Sequence, residues 1–209
     1  IDTQIWRLWE YMRKNKLLED TFIIFSSDHG ELLGDHHLFR KFNGFEGSAK
    51  VPFFIKPPDN WDGFGRGVVN DTAITLVDIM PTLLEEAGIP IPDTVEGLSL
   101  SPLLRGQEID RDFIHGEHID HQPHLGAWQY LTDGKIKYIW ETKSGKEYFF
   151  DLVNDPQELR NLAQNPDFTE SVSKWRQQLI DILAKRPQDG LSDGEKLIAG
   201  KSLPAMRDS

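Results

Sequence analysis

Residues 21–58 read TFIIFSSDHGELLGDHHLFRKFNGFEGSAKVPFFIKPP, and this stretch decides the fold. Thr21-Phe22-Ile23-Ile24-Phe25 is apolar on both faces, the pattern of a buried parallel strand. Ser26-Ser27-Asp28-His29-Gly30 stands at its C-terminal end, where open α/β sheets place their ligand sites. A long polar loop, Glu31 to Lys50, follows, with three glycines, two histidines and three basic residues. Loops of that length are usually functional or disordered. Val51-Pro52-Phe53-Phe54-Ile55 reads as the next strand, with Pro52 near its start where a lost donor is tolerated.

Working outward, Ile5, Leu8, Trp9 and Met12 share one helical face, so a helix is expected from about Asp2 to Asn15. Pro57 through Gly67 is a turn-rich connection. Its Gly63-Phe64-Gly65-Arg66-Gly67 lacks the Lys-Ser/Thr pair of a phosphate loop and reads as a turn. A helix through Ile79–Ala87 is expected to stop at Gly88 and Pro90, with Pro81 leaving its start open. A short strand is expected around Arg111–Gly116. Trp128–Thr132, Ile136–Trp140 and Glu147–Asp151 are aromatic-rich and separated by Asp133-Gly134 and Ser144-Gly145, which predicts a three-stranded antiparallel meander. A last amphipathic helix runs from about Phe168 to Lys185, and the tail from Pro187 reads as a poorly packed arm or a docking segment. The expected division is an α/β part over residues 1–124, a small antiparallel sheet with a helix over 125–186, and a tail over 187–209.

The chain has 209 residues and a formal net charge of −11. An acidic chain repels phosphate backbones, so nucleic acid is not an expected partner. The same field disfavours a sulfate or phosphate ester, so a site for one needs a local cation: a metal, Lys or Arg. No apolar run approaches the length of a membrane span. With no cysteine there is no disulfide, thiolate metal site or cysteine nucleophile in these residues. The first residue is Ile1, without an initiator Met or a signal peptide. The expectation is a piece of a longer protein whose N-terminal remainder is its first partner, with localisation unreadable.

Asp28 and His29 are both good ligands for a divalent cation, and adjacent ligands at a strand end can reach one ion through the turn. Gly30 permits a sharp turn and leaves space for substrate. A strand-terminating turn with a solvated Asp and His is the competing reading. His36 and His37 could line a pocket or support Asp28. His118, with His121 and His124 after it, could meet a leaving group or act as a general acid; surface histidines explain the group equally well. Glu46 reads as structural, bonded to backbone or to a basic residue.

Taken whole, residues 21–58 closely resemble the sulfatase family of the alkaline-phosphatase-like superfamily. The shared pattern is an apolar strand, Ser-Asp-His-Gly-Glu, a Gly-Asp-His segment, a Lys, an aromatic-Glu pair, and Val-Pro before a strand. Asp78-Ile79-Met80-Pro81-Thr82-Leu83-Leu84, Gly97-Leu98-Ser99-Leu100, Pro102-Leu103-Leu104, Phe149-Phe150-Asp151-Leu152, Asp155-Pro156, Glu158 and Asn161-Leu162 extend the likeness to residue 163. It covers the C-terminal portion of a family member.

The resemblance implies an α/β alkaline-phosphatase-like sheet with a smaller antiparallel sheet and C-terminal helix. It implies that Asp28 and His29 bind a divalent metal, usually calcium in sulfatases; many members carry Asn at the position of His29. Histidine there also occurs in phosphonate and phosphodiester hydrolases, which often use other ions, manganese among the candidates. Lys41 matches the lysine that contacts the sulfate oxygens, where a fixed cation stabilises charge growing on an anionic ester. His37 is a candidate for binding the substrate, and His118 for catalysis. A family member also needs an N-terminal Cys or Ser that becomes formylglycine, whose aldehyde hydrate attacks sulfur, and two further aspartate ligands. None of these is found in this sequence, so the parent is expected to be a sulfuric ester hydrolase acting on a small-molecule or glycan sulfate ester, and this piece alone inactive. Two alternatives stand: a phosphonate or phosphodiester hydrolase of the same superfamily, or a non-catalytic domain for oligomerisation or carbohydrate binding, using Trp128, Tyr130, Trp140 and Tyr148 as an exposed surface.

Overall fold

A computed structural model describes residues 1–118 and 127–201. The expected boundary near residue 124, together with His121 and His124, lies outside the described residues. The elements in chain order are α1 (Asp2–Lys14), β1 (Ile23–Ser26), α2 (Glu46–Ala49), β2 (Phe53–Lys56), α3 (Ile79–Glu86), α4 (Ser101–Leu104), β3 (Ile114–His118), β4 (Trp128–Thr132), β5 (Ile136–Glu141), β6 (Glu147–Asp151) and α5 (Thr169–Ala184). They pack as two compact units. The first comprises Ile1–Asp28, Val51–Asn70 and Ile74–Asp110; the second comprises His29–Lys50, Asp71–Ala73 and the chain from Arg111.

In the first unit β1 and β2 pair in antiparallel register, Ile23 opposite Lys56 and Ser26 opposite Phe53. The expectation of a buried parallel strand is corrected on this point. An apolar run reports burial on both faces but not the direction of the neighbour, and here β1 is only half-buried. Phe25 and Phe54 stack at 4.6 Å. In α1, Ile5, Trp9 and Met12 form the less exposed face, while Leu8 is 60% exposed.

The segment Asp78–Thr82 is fixed by side-chain chemistry. Asp78 is fully buried and accepts backbone N–H bonds from Thr75 (2.8 Å) and Leu98 (2.9 Å). Thr82 Oγ1 donates to the Asp78 carbonyl (2.6 Å) and accepts from the Leu100 N–H (2.8 Å). The two segments Asp-Ile-Met-Pro-Thr and Gly-Leu-Ser-Leu are thus two halves of one hydrogen-bonded corner. A Cβ on Gly97 would stand 2.2 Å from the Val77 carbonyl oxygen, so only glycine fits there. Pro81 falls in the first turn of α3, where no intrahelical donor is needed, and the helix begins before it.

The second unit is built on a four-stranded antiparallel sheet in the order β3-β4-β5-β6. The predicted three-stranded meander gains β3, which pairs Ile114 with Thr132 and His118 with Trp128. Alternation along β5 divides the side chains between two faces. Tyr138 and Trp140 join Leu131, Phe149 and, from α5, Val172, Leu179 and Leu183 in one core. Ile139 joins Leu32, Phe45, Trp128 and Phe150 in the other. The loop of residues 29–50 therefore covers one face of this sheet as α5 covers the other. Trp128 and Trp140 are buried and Tyr130 and Tyr148 partly so. The expected exposed aromatic surface is not there, because two layers rather than one cover the sheet.

The tail also departs from expectation. Leu191 is fully buried in the α5 core, Ile198 N–H donates to the Leu191 carbonyl (2.8 Å), and Gly200 N–H reaches the Thr142 carbonyl (2.9 Å). Residues 187–201 form a packed strap, with Leu197 also against that core; polar spacing hid these apolar anchors.

Candidate active site

Asp28 follows β1 in the first unit and is exposed, with Ser27 Oγ donating to its Oδ1 at 3.5 Å. His29 opens the long loop of the second unit. Its Nδ1 lies 2.7 Å from the Gly30 carbonyl oxygen. A carbonyl can only accept, so Nδ1 carries the hydrogen and Nε2 presents its lone pair. Lys41 Nζ, a pure donor, stands 2.5 Å from that Nε2. An imidazole whose one N–H is donated to a backbone carbonyl while the other nitrogen presents its lone pair is how metal-ligating histidines are oriented. A carboxylate oxygen and an imidazole nitrogen suit calcium, manganese or zinc chemistry to different degrees. Among the described residues no group of three or more His, Asp or Glu gathers in metal-binding range. Asp28 and His29 each offer a donor type that suits a divalent cation.

Gly30 plays a part the sequence did not reveal. Its N–H donates to the Ser48 carbonyl at 2.8 Å, and a Cβ there would lie 2.2 Å from the Gly47 oxygen. Glycine is required because two backbone segments touch. This closes the loop's base, setting Gly30 beside the turn of α2.

Between these ends the loop is strained. Leu33, His36, His37, Arg40 and Phe42 all have φ between 52° and 89°, a left-handed region that side chains with a Cβ avoid. Such clustering of disfavoured backbone is a feature of functional sites. Leu32 N–H donates to the Arg40 carbonyl (2.9 Å), and the Arg40 N–H donates to the Glu31 carboxylate, which pinches the loop into a hairpin-like arch. Lys41 emerges at its foot.

His118, at the end of β3, and Lys41 both pack on the Phe42 ring. The His118 and Phe42 ring centroids are 5.3 Å apart, and Lys41 Nζ is 5.8 Å from the Phe42 ring centroid. His36 and His37 diverge. His36 stacks on Phe45 at 4.2 Å with its Nε2 4.0 Å from Glu158, whereas His37 is exposed. Deeper in β3, burial lowers the basicity of His115, whose Nε2 lies 2.8 Å from Gln129 Oε1.

Two residues near the loop carried no sequence signal of their function. Lys137 is fully buried; its ammonium donates to the Gly44 carbonyl (2.9 Å) and to the Glu46 carboxylate. Glu158 is 3% exposed and accepts the Glu46 N–H at 2.7 Å. Burial raises the Glu158 carboxyl above its ordinary range, with Lys137 opposing. Strand alternation would have placed Lys137 on a solvated face; only the presence of the loop above β5 makes it a core residue.

The sheets and helices described define the class, an α/β protein of the alkaline-phosphatase-like kind. The chain belongs to the sulfatase family: the family described as N-sulphoglucosamine sulphohydrolase, C-terminal, matches residues 34–185. It is 41% identical over 208 residues to an arylsulfatase of Clostridium perfringens, covering 99% of this chain and 42% of that one. A choline-sulfatase of Rhizobium meliloti is 34% identical over 171 residues, covering 79% of this chain and 31% of its own. Among solved structures, one in complex with its substrate D-glucosamine-2-N,6-O-disulfate shares the fold with a TM-score of 0.76 at 24% identity, over 93% of this chain and 40% of that one. A phosphonate monoester hydrolase of Agrobacterium radiobacter gives 0.73 at 31% identity, over 88% of this chain and 39% of that one. The chain spans roughly a third to two fifths of the length of the curated relatives named here.

Proposed function

We propose that this chain is the C-terminal portion of a metal-dependent sulfuric ester hydrolase. In this reading Asp28 and His29 supply two ligands to a divalent cation, calcium by family likeness. Lys41 contacts the ester's anionic oxygens, and the nucleophile and remaining ligands come from the N-terminal remainder of the protein. The observation that carries it is the His29 ring, tied to the Gly30 carbonyl through Nδ1 with Nε2 presented toward Lys41. When bound, the cation would polarise an ester oxygen as a Lewis acid. The chain's own residues do the rest. Gly30 keeps the ring in place through its contact with Ser48, and Lys41 brings a fixed positive charge into an otherwise acidic protein. His118, whose ring packs on Phe42 next to Lys41 in sequence, would in this reading serve the leaving group. His37, exposed on the arch, would reach the substrate from the loop's outer side.

A phosphonate monoester hydrolase is the second reading. It is favoured by histidine at position 29 and by the 31% identity to the Agrobacterium enzyme. Both readings use the same metal pair and lysine. They are separated by measuring kcat/KM of the full-length enzyme, formylglycine formed and metal added, on nitrophenyl sulfate and on a phenylphosphonate monoester. Preference for the sulfate is the expected result. Preference for the phosphonate moves the assignment to the second reading, and no turnover of either removes both.

A further inference from the structure

The arch that carries Lys41 has hydrogen bonds of its own, but its backbone is strained. Five of its residues sit in left-handed backbone conformations that their side chains disfavour. Further restraint comes from what lies beneath it, and part of that restraint is apolar: Leu32 and Phe45 pack with Trp128, Ile139 and Phe150. The rest is ionic, buried and directional. Lys137 of β5 is fully buried and bonds the Gly44 carbonyl at 2.9 Å and the Glu46 carboxylate. Glu158 accepts the Glu46 N–H at 2.7 Å, and its second oxygen lies 3.4 Å from Lys137, an ion pair without hydrogen-bond alignment. Glu158 itself has φ 56°, so strain is accepted at the anchor as well.

A buried ion cluster is a poor means to stability, since well-packed apolar side chains do as well or better at lower desolvation cost. What it provides is geometry. Two peptide groups, the Gly44 carbonyl and the Glu46 N–H, are each pinned by a charge, three and five residues past Lys41. The likeness to the family supplied Glu158 as a matched letter and left its action blank.

We propose that Lys137 and Glu158 are positioning residues for Lys41, clamping the Gly44–Glu46 backbone to the four-stranded sheet so that the Lys41 ammonium meets the ester anion. This rests on the reading that Lys41 binds that anion. Glycine is the informative replacement for Glu158. It suits φ 56° without strain and leaves Lys137 paired with Glu46, so the fold is spared while the acceptor for the Glu46 N–H is lost.

The test uses the full-length enzyme with nitrophenyl sulfate, reading kcat, KM, thermal unfolding and amide hydrogen exchange over residues 43–49. Glu158→Gly should lower kcat by roughly tenfold or more with a smaller change in KM, because a displacement of about 1 Å in a catalytic group costs up to ~100-fold. Exchange at Glu46 should rise. Glu158→Gln, which keeps an oxygen acceptor, should restore kcat to within about threefold of the parent. In a Lys41→Ala background Glu158→Gly should cost less than about twofold, since residues acting through one another are not additive. Normal kcat or unchanged exchange in Glu158→Gly, beside a crippled Lys41→Ala enzyme, overturns the clamp and leaves the role of Lys41 standing. Losses that multiply fully in the double variant also overturn it. Near-normal turnover in Lys41→Ala removes the functional reading itself, and the clamp with it. Should Glu158→Gly fail to accumulate folded, Glu158→Asp shortens the reach without removing the charge, and the same outcomes apply.

Discussion

The ammonium of Lys41 stands 2.5 Å from Nε2 of His29, the ring nitrogen left as an acceptor once Nδ1 is tied to the Gly30 carbonyl. One lone pair cannot serve both a metal ion and an ammonium. The proposed chemistry therefore requires Lys41 to turn from His29 to the ester oxygens when the cation binds.

Replacing Lys41 with alanine should lower kcat of the full-length enzyme by about 10²–10³-fold, the range seen when one preorganised stabiliser of transition-state charge is removed. Lys41 lies on the arch rather than in either hydrophobic core, so the melting temperature should change little. Steady-state kinetics beside a thermal melt checks both, and normal turnover would strike Lys41 from the site.

His29→Ala should weaken divalent-metal affinity by at least ten- to a hundredfold, about what losing even an outer-shell partner costs. The direct measurement is metal content after dialysis against graded free-metal buffers. A variant that retains its full complement of metal would show that His29 is not a ligand.

Gly30→Ala should destabilise the protein by about 1–3 kcal/mol, because the new methyl group would overlap the Gly47 oxygen and the opposing atoms are backbone that cannot rotate away. Urea unfolding reads the cost. Parent-like stability would mean that the 29–50 loop is looser at its base than the 2.8 Å Gly30–Ser48 bond implies.

Acid should weaken the attachment of α5 to the sheet. Burial alone would raise the Glu147 carboxyl, but the hydrogen bonds from Arg176 (2.5 and 2.8 Å) and Tyr138 (2.5 Å) outweigh it and hold Glu147 below its ordinary value of 4.5. A carboxyl depressed in the folded state contributes stability that is present above pH 4.5 and lost as pH falls through its folded value. Melting temperature measured from pH 7 down to pH 3 should therefore drop, and Arg176→Ala should show a shallower drop from a lower start. Parallel curves for parent and variant would count against this pair as the source.

Much of this was legible in order along the chain. The hairpin glycines placed the sheet turns at Gly134 and Gly145, and the 3.6-residue period placed α5. The Asp28-His29-Gly30 string marked where to look for chemistry because ligand types recur at strand ends. Local signals of this sort depend on neighbours within a few residues, and the sequence contains them outright.

Tertiary packing decided the remainder. Lys137 and Glu158 are 21 positions apart in sequence, and Glu46 lies 91 and 112 positions from them. No local rule says that a lysine in an aromatic strand will be buried under a loop folded back from so far upstream. The β1–β2 direction, the pairing of β3 with the meander and the burial of Leu191 were hidden for the same reason. The amino-acid order pointed to the residues proposed to bind a cation and an oxyanion. The fold determined what keeps them in place, because burial and ion pairing depend on distance in space, and distance along the chain does not report it.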